Sequence, residues 1–255
     1  MARKIVQSLD LQKTDHVLEI GPGKGALTAF LLAEIAEISA IEIDDELATG
    51  LKRRFGPALT LYHDDVLHVD LQSVAETMGG KIRIVGNIPY NITTPILFWI
   101  IDASTHVSDC TLMMQREVAL RLIAEPRTKD YGILSIFAQY YSTPTLKFIV
   151  APGAFTPAPE VTSALASLNF EHLQSPRADD DAAFRAVVRG TFGKRRKTLR
   201  NGLRSLELPL ELFEKLPLDL GRRPEELSVE EFVNLSNAVA GRTIDRTPHK
   251  RRRAG

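Results

Sequence analysis

The sequence predicts an α/β protein with a doubly wound, mostly parallel sheet, an antiparallel strand at one end, and a small all-helical domain after it. From His16 to Gln115, short apolar segments alternate with segments of helical composition, which is typical of a parallel sheet covered by helices. The segments Leu146–Val150 and Ser163–Phe170 are joined by a proline-rich loop without a helix, which predicts an antiparallel pair. Beyond Glu171 only helical patterns follow.

The individual elements follow from apolar runs, glycine and proline positions, and helical periodicity. The predicted strands are His16–Ile20, Ile38–Ile43, Leu59–Tyr62, Lys81–Gly86, Cys110–Gln115, Leu146–Val150 and Ser163–Phe170. The predicted helices between them are Ala26–Ile35, Asp45–Phe55, Leu71–Met78, Thr94–Ile101, Arg116–Ala124 and Tyr131–Tyr141. The C-terminal helical patterns cover Asp181–Phe192, Arg195–Leu206, Leu210–Lys215 and Ser228–Ala240.

Changes of composition predict the domain boundaries. We expect residues 1–173 to form the α/β domain, residues 179–241 the helical domain, and residues 242–255 a disordered basic tail. The polar stretch His172–Asp181 is interpreted as a linker. Its three aspartates are expected to cap the helix that follows, where they favour the positive end of the helix dipole.

Composition narrows the class of protein. The chain has 255 residues, 44% of them hydrophobic, with a single cysteine, Cys110, which excludes an internal disulfide. This favours a reducing, cytoplasmic location, and neither a secretory leader nor an apolar run of bilayer length is recognisable.

The net charge is zero, but residues 175–255 carry 18 Lys and Arg against 12 Asp and Glu. A polyanionic partner for this part is one interpretation, and a solvated helical surface is the other.

Two motifs predict a nucleoside site at the carboxyl ends of the first two strands. Gly21, Gly23 and Gly25 follow the first strand and open a helix, and glycines there let a ligand approach the backbone closely. Glu42 ends the second strand about 20 residues later, where a carboxylate can accept both hydroxyls of a ribose. A plain strand-to-helix turn and an exposed strand-end carboxylate are the structural alternatives.

Asp64 and Asp65 follow the third strand, where a carboxylate can accept a hydrogen bond from an adenine amino group. A loop-capping aspartate is the alternative. His63 and His68 lie nearby, but their spacing does not match the usual zinc patterns, and we expect no metal.

The segment Asn87-Ile88-Pro89-Tyr90, after the fourth strand, carries the strongest chemical signal. An adenine amine is a poor nucleophile because its lone pair is delocalised into the ring. The side-chain amide oxygen of Asn87 and the main-chain carbonyl of Pro89 can accept its two N–H hydrogens, which localises the lone pair and aims it at a methyl sulfonium. Tyr90 offers a flat face for a base taken out of its stack. The amine loses its proton after becoming cationic, so no strong general base is required.

Two further segments are candidate parts of the site. Phe155 lies in a loop stiffened by Pro157 and Pro159, where it either forms the other wall of a base pocket or plugs the end of the sheet. In the C-terminal domain, basic residues at helical spacing are predicted to contact a nucleic-acid backbone. They are Lys194, Arg195, Arg196, Lys197, Arg200 and Arg204, beside an apolar stripe of Leu199, Leu203 and Leu206. A solvated amphipathic helix is the alternative.

In combination these motifs resemble the ribosomal RNA adenine dimethyltransferase family, whose loss in bacteria gives kasugamycin resistance. The resemblance runs from about Arg3 to Ala240 and includes Gln115–Val118, Tyr131-Gly132, Phe155–Ala164 and Arg223–Leu227. It implies a Rossmann-like methyltransferase fold with S-adenosylmethionine as methyl donor. The residues implied to contact that cofactor are Gly21, Gly23, Glu42, Asp65 and Asn87, and those implied to hold the target adenine are Asn87, Pro89, Tyr90 and Phe155.

By the same resemblance, the substrate is two adjacent adenines in a terminal hairpin loop of small-subunit ribosomal RNA, methylated in immature subunits by an enzyme expected to be monomeric. The alternatives are a large-subunit RNA methylase, a DNA adenine methylase and a non-catalytic assembly factor. The second is disfavoured because no sequence-reading domain is recognisable. Family members carry a segment reading roughly K-x-x-G-Q-N-F-L-x-D before the first helix, whereas this chain begins at Met1-Ala-Arg3-Lys4-Ile5. Lack of that segment is expected to lower cofactor affinity and turnover.

Overall fold

A seven-stranded sheet organises the first part of the chain in the computed structural model, which describes residues 1–154, 161–173, 175–193, 198–206, 208, 213, 216 and 218–240. The strands are β1 (His16–Ile20), β2 (Ile38–Glu42), β3 (Leu59–His63), β4 (Ile82–Asn87), β5 (Val107–Gln115), β6 (Thr143–Val150) and β7 (Ser163–Asn169). All seven strands predicted from the sequence are confirmed, with both ends of β1 as predicted and no end more than three residues away.

Helices connect the strands. They are α1 (Ala2–Gln7), α2 (Ala26–Glu34), α3 (Asp45–Phe55), α4 (Leu71–Met78), α5 (Thr93–Asp102), α6 (Arg116–Leu122) and α7 (Ile133–Tyr141). Local signals account for several boundaries: the carboxylates of Asp44 and Asp70 accept hydrogen bonds from the first turns of α3 and α4, and Gly79 ends α4 in the left-handed conformation.

The strand order is β3-β2-β1-β4-β5-β7-β6. Strands β1 to β5 are parallel, and β7 pairs antiparallel with both β5 and β6, so the predicted mostly parallel sheet with an antiparallel strand at one end is confirmed. The chain leaves β1 in one direction along the sheet and returns through β4 in the other. This reversal leaves a crevice at the carboxyl ends of β1 and β4, which is the usual ligand position in such sheets.

Apolar side chains on both faces of the sheet form the core of this part. An ionic cluster lies at the amino ends of β1 and β4, away from the crevice at their carboxyl ends. Arg83 in β4 lies between Asp15 and Asp109, with nitrogen–oxygen distances of 2.5 and 2.8 Å. Its guanidinium also donates to the Leu9 carbonyl at 2.7 Å, which ties the segment after α1 to the sheet. Burial raises the pKa of Asp109 despite the neighbouring Arg83.

The chain forms two compact units, Met1–Ala124 with Phe137–Gln174, and Glu125–Ile136 with Ser175–Gly255. The described helices of the second unit are α8 (Asp181–Phe192), α9 (Leu199–Leu203) and α10 (Val229–Val239). Asp180 caps α8 by accepting from the Ala183 N–H at 3.1 Å, which confirms the predicted capping role for this one of the three aspartates.

The segment Glu125–Ile136 belongs to the second unit, although the sequence analysis assigned it to the first domain. Two long-range hydrogen bonds hold it there. The Arg127 N–H donates to the Glu225 carbonyl and the Tyr131 hydroxyl to the Leu227 carbonyl, each at 2.8 Å. The sequence gives no local signal for these contacts, because the partners lie about a hundred residues apart.

Other predictions fall partly outside the described residues. Most of the helix predicted at Leu210–Lys215, and the whole basic tail at 242–255, lie outside them. Within the described ranges, none of the helices has the length and apolar character needed to cross a lipid bilayer.

Candidate active site

The glycine turn after β1 has the backbone conformation that its composition predicts. Gly21, Gly23 and Gly25 have φ angles of 62°, 57° and 75°, in the left-handed region that residues other than glycine rarely adopt. A Cβ on Gly25 would also lie 2.5 Å from the Phe55 ring. Apart from the adjoining residues of the chain, no heavy atom of the described residues lies within 4 Å of the Cβ positions of Gly21 and Gly23, so the turn has open space on that side.

Glu42, at the end of β2, binds this turn through its carboxylate. Its Oε2 accepts from the Gly23 N–H at 3.0 Å, and its Oε1 accepts from the Ile43 and Asp44 N–H groups at 2.9 and 3.1 Å. Only 6% of the residue is exposed. Because a carboxylate offers about four lone pairs, Oε2 retains capacity for a hydroxyl donor. The carboxylate is therefore fixed in place before any ligand arrives.

Glu19 is a buried carboxylate to which the sequence analysis gave no role. It lies in β1 with 1% exposure, and its Oε2 accepts a hydrogen bond from the Thr28 hydroxyl at 2.6 Å. Burial, reinforced by the nearby Glu42 carboxylate, raises the pKa of Glu19 to about 7. A carboxylate between the apolar residues Leu18 and Ile20 of a predicted strand was the signal available in the sequence.

Asp65, after β3, is half-buried and caps the short 3₁₀ turn Val66–His68 by accepting from the Leu67 N–H at 3.0 Å. This is the capping role that the sequence analysis kept as an alternative. The bond uses Oδ1, and no hydrogen bond from a described residue engages Oδ2. The second oxygen can therefore accept from a ligand while the first caps the turn.

The two histidines near Asp65 contact separate carboxylates. His63 Nε2 lies 3.2 Å from an Asp45 oxygen, and His68 Nδ1 lies 3.7 Å from an Asp64 oxygen. Among the residues that the structure describes, no three potential metal ligands cluster.

The segment Asn87–Tyr90 begins at the carboxyl end of β4, next to β1. Gly86 allows the close approach of the two strands, because a Cβ there would lie 2.8 Å from the Ile20 carbonyl oxygen. Ile88 is buried and anchors the segment, whereas Asn87 and Pro89 are exposed. The side-chain amide of Asn87 makes no hydrogen bond to any described residue, so its oxygen is an open acceptor at the crevice.

The Pro89 carbonyl, predicted to be the second acceptor, is already engaged. It accepts from the Ile92 N–H at 3.3 Å and from the Thr93 hydroxyl at 3.2 Å, as part of the 3₁₀ turn that leads into α5. The Ile88 carbonyl, directly after Asn87, accepts no hydrogen bond from the described residues. A carbonyl has two lone pairs, so Pro89 would have to share or release one of its present partners.

Tyr90 is half-buried in the same 3₁₀ turn, and its hydroxyl lies 2.5 Å from Ser163 Oγ at the start of β7. Phe155, predicted to be the other wall of a base pocket, lies outside the described residues.

In the second unit, α9 has the predicted amphipathic arrangement. Leu199 and Leu203 are fully buried, and Arg200 and Arg204 are exposed. The α9 backbone joins the loop before α10, since the Leu199 and Arg200 N–H groups donate to the Arg222 and Leu220 carbonyls. The preceding basic residues, Lys194, Arg195, Arg196 and Lys197, lie outside the described residues.

The sheet order, the glycine turn bound by Glu42 and the open amide of Asn87 define a class, that of the Rossmann-like methyltransferases. More specifically, the chain belongs to the ribosomal RNA adenine dimethylase family, whose sequence profile matches residues 1–240.

Individual relatives agree with this assignment. The chain is 42% identical over 247 residues to the ribosomal RNA small subunit methyltransferase A of Geobacter metallireducens, covering 92% of this chain and 89% of that protein. Its fold is similar to the crystal structure of a dimethyladenosine transferase from Plasmodium falciparum, with a TM-score of 0.74, 25% identity and coverage of 92% and 93%. It is also similar in fold to the 23S rRNA methyltransferase ErmE, with a TM-score of 0.67, 24% identity and coverage of 93% and 96%.

Proposed function

We propose that this protein dimethylates the exocyclic amines of two adjacent adenines in a terminal hairpin loop of small-subunit ribosomal RNA during subunit assembly. The observation that carries the proposal is the exposed side-chain amide of Asn87 at the crevice between β1 and β4, which makes no hydrogen bond to any described residue. The chain that carries it belongs to the ribosomal RNA adenine dimethylase family. The name of the Geobacter metallireducens relative supports the small subunit as substrate.

The residues around the crevice fit S-adenosylmethionine, which supplies an electrophilic methyl group on sulfur when bound. The Gly21–Gly25 turn leaves room for the ligand against the backbone, and Gly21 and Gly23 line it. Glu42 Oε2 accepts a ribose hydroxyl, and Asp65 Oδ2 accepts the adenine amino group of the cofactor. Both carboxylates are held by main-chain N–H groups, so little ordering is required on binding.

Asn87 binds the amine of the target adenine, and it also contacts the cofactor in the crevice. Its amide oxygen accepts one N–H hydrogen of the target amine, and a main-chain carbonyl of the same segment accepts the other. Ile88 supplies that carbonyl without disturbing the 3₁₀ turn, whereas Pro89 supplies it only at the expense of an existing hydrogen bond. Two fixed acceptors orient the nitrogen lone pair away from the ring and toward the methyl donor.

Tyr90 and Phe155 hold the target base by stacking. An adenine in a hairpin loop costs less to unstack than one in a duplex, which suits a pocket with an aromatic wall. After the first methylation the amine retains one N–H hydrogen, so one acceptor is sufficient to orient it for the second transfer.

The helical unit supplies RNA affinity. Exposed Arg200 on α9 and exposed Arg204 directly after it, together with Lys194–Lys197, supply positive charge for the phosphate backbone. We place the catalytic role in the first unit, Met1–Ala124 with Phe137–Gln174, and the RNA-binding role in the second unit, with the tail at 242–255 adding salt-sensitive affinity. The protein acts as a monomer in the cytoplasm on the immature small subunit.

The names of the curated relatives do not favour the large-subunit alternative. A non-catalytic assembly factor differs in one measurable property, which is cofactor binding. Isothermal titration calorimetry with S-adenosylmethionine is expected to show one binding site, which Glu42→Ala weakens at least tenfold because the ribose hydroxyls lose their acceptor. An exposed carboxylate such as Glu34 provides the matched control, Glu34→Ala. Heats no larger than dilution for the wild-type protein would favour the assembly factor.

A further inference from the structure

The hydroxyl of Tyr90 makes a contact that stacking on a base does not require. It lies 2.5 Å from Ser163 Oγ, and the two residues are 73 positions apart. Tyr90 belongs to the short turn after β4, whereas Ser163 is the first residue of β7 and is fully buried. Both residues belong to the first unit.

Ser163 is itself held firmly by the sheet. Its backbone pairs with Gln115 of β5 on one side and with Val150 of β6 on the other. A strand paired on both edges moves less than a turn or a loop. The Ser163 hydroxyl is therefore a fixed point for any side chain that binds it.

We propose that Ser163 is a positioning residue for methyl transfer, holding the ring of Tyr90 in the position where it meets the target adenine. The proposal rests on the function proposed above. A tyrosine ring on a short turn rotates about two side-chain bonds. The hydrogen bond to Ser163 fixes the position of the hydroxyl oxygen and so restricts the first rotation, which sets where the ring lies. The stacked base is thereby held where its amine meets Asn87, and small errors in such placement slow transfer steeply.

Ser167 offers a matched comparison on the same strand. It lies four residues further along β7 and so on the same face as Ser163. It is also buried, and its hydroxyl accepts from the Thr111 hydroxyl at 3.1 Å. Ser163→Ala and Ser167→Ala therefore each remove one hydroxyl–hydroxyl hydrogen bond of β7, but only the first affects the Asn87–Tyr90 segment.

The test compares steady-state methylation of immature small subunits by the wild-type protein, Ser163→Ala, Ser167→Ala, Tyr90→Phe and the Tyr90→Phe/Ser163→Ala double variant. Ser163→Ala is expected to lower kcat about tenfold with KM for S-adenosylmethionine unchanged, and Ser167→Ala to lower kcat less than twofold. Tyr90→Phe removes the same bond from the other side and keeps the stacking ring. It should match Ser163→Ala, and the double variant should be no slower than the slower single variant.

Each outcome decides the matter. Equal kcat values for Ser163→Ala and Ser167→Ala, or effects of Tyr90→Phe and Ser163→Ala that multiply in the double variant, would overturn the positioning role while leaving the proposed function intact. No methylation by the wild-type protein would overturn both. If Ser163→Ala does not fold, Tyr90→Phe decides alone, and turnover equal to wild type contradicts the proposal.

Discussion

At the scale of single residues, Glu19 links the site to the stability of the fold. Its pKa is raised from 4.5 to about 7 because the strand around it excludes water. The folded protein therefore keeps a proton on Glu19 over a range where the unfolded chain has released it. The resulting contribution to stability is fully present below about pH 4.5 and is lost as the pH rises through about 7.

The prediction for Glu19 follows from this sign. Glu19→Gln stays neutral at every pH and can still accept from the Thr28 hydroxyl, so it should become more stable relative to wild type as the pH rises from 5 to 8. The gain at pH 8 should be on the order of 3 kcal/mol, since one pKa unit corresponds to about 1.4 kcal/mol. Urea unfolding at several pH values measures it, with exposed Glu34→Gln as the control. Parallel stability–pH curves for Glu19→Gln and wild type would show that Glu19 is not the responsible group.

Residues at strand ends were predictable because the carboxyl ends of parallel strands meet at one edge of the sheet. By this rule the sequence predicts Gly21, Glu42, Asp65 and Asn87 as candidates. It could not find the Tyr90–Ser163 contact, which depends on the pairing of β7 with β5, nor the engagement of the Pro89 carbonyl, which depends on a 3₁₀ turn. Both are consequences of three-dimensional register and not of residue type.

At the scale of secondary-structure elements, the contact between α8 and α9 depends on a glycine. Gly202 is buried in α9, and a Cβ there would lie 2.6 Å from the Thr191 Cα and 3.2 Å from the Gly190 carbonyl oxygen. Because these are backbone atoms, the two helices would have to move apart to accept a side chain.

Gly202→Ala should therefore destabilise the helical unit by about 2 kcal/mol, the usual cost of overpacking. It should also weaken RNA binding by displacing Arg200 and Arg204, without changing affinity for S-adenosylmethionine. Gly50→Ala in α3 is the matched control: its Cβ meets no atom within 4 Å, so it should stabilise the protein by about 0.5–1 kcal/mol through helix propensity. Guanidinium unfolding and filter binding to a hairpin RNA measure both effects. Wild-type stability of Gly202→Ala would contradict the close packing.

At the scale of the whole molecule, the alternation of strands and helices was enough to predict the sheet. The apolar runs of β1 to β4 are short and end within two residues of a glycine, aspartate or asparagine, so their number is encoded locally. The membership of Glu125–Ile136 in the second unit is not encoded locally. It depends on hydrogen bonds from Arg127 and Tyr131 to the segment before α10.

The central claim is that the crevice between β1 and β4 methylates adenine in small-subunit ribosomal RNA. Its most direct measurement is incubation of the protein with methyl-labelled S-adenosylmethionine and either immature small or large subunits, followed by nucleoside mass spectrometry. We predict dimethyladenosine in two adjacent positions of the small-subunit RNA, none in the large-subunit RNA, and at least a hundredfold loss of rate in Asn87→Ala because the amine loses its side-chain acceptor. Bound cofactor without labelled small-subunit RNA, or undiminished methylation by Asn87→Ala, would contradict the account.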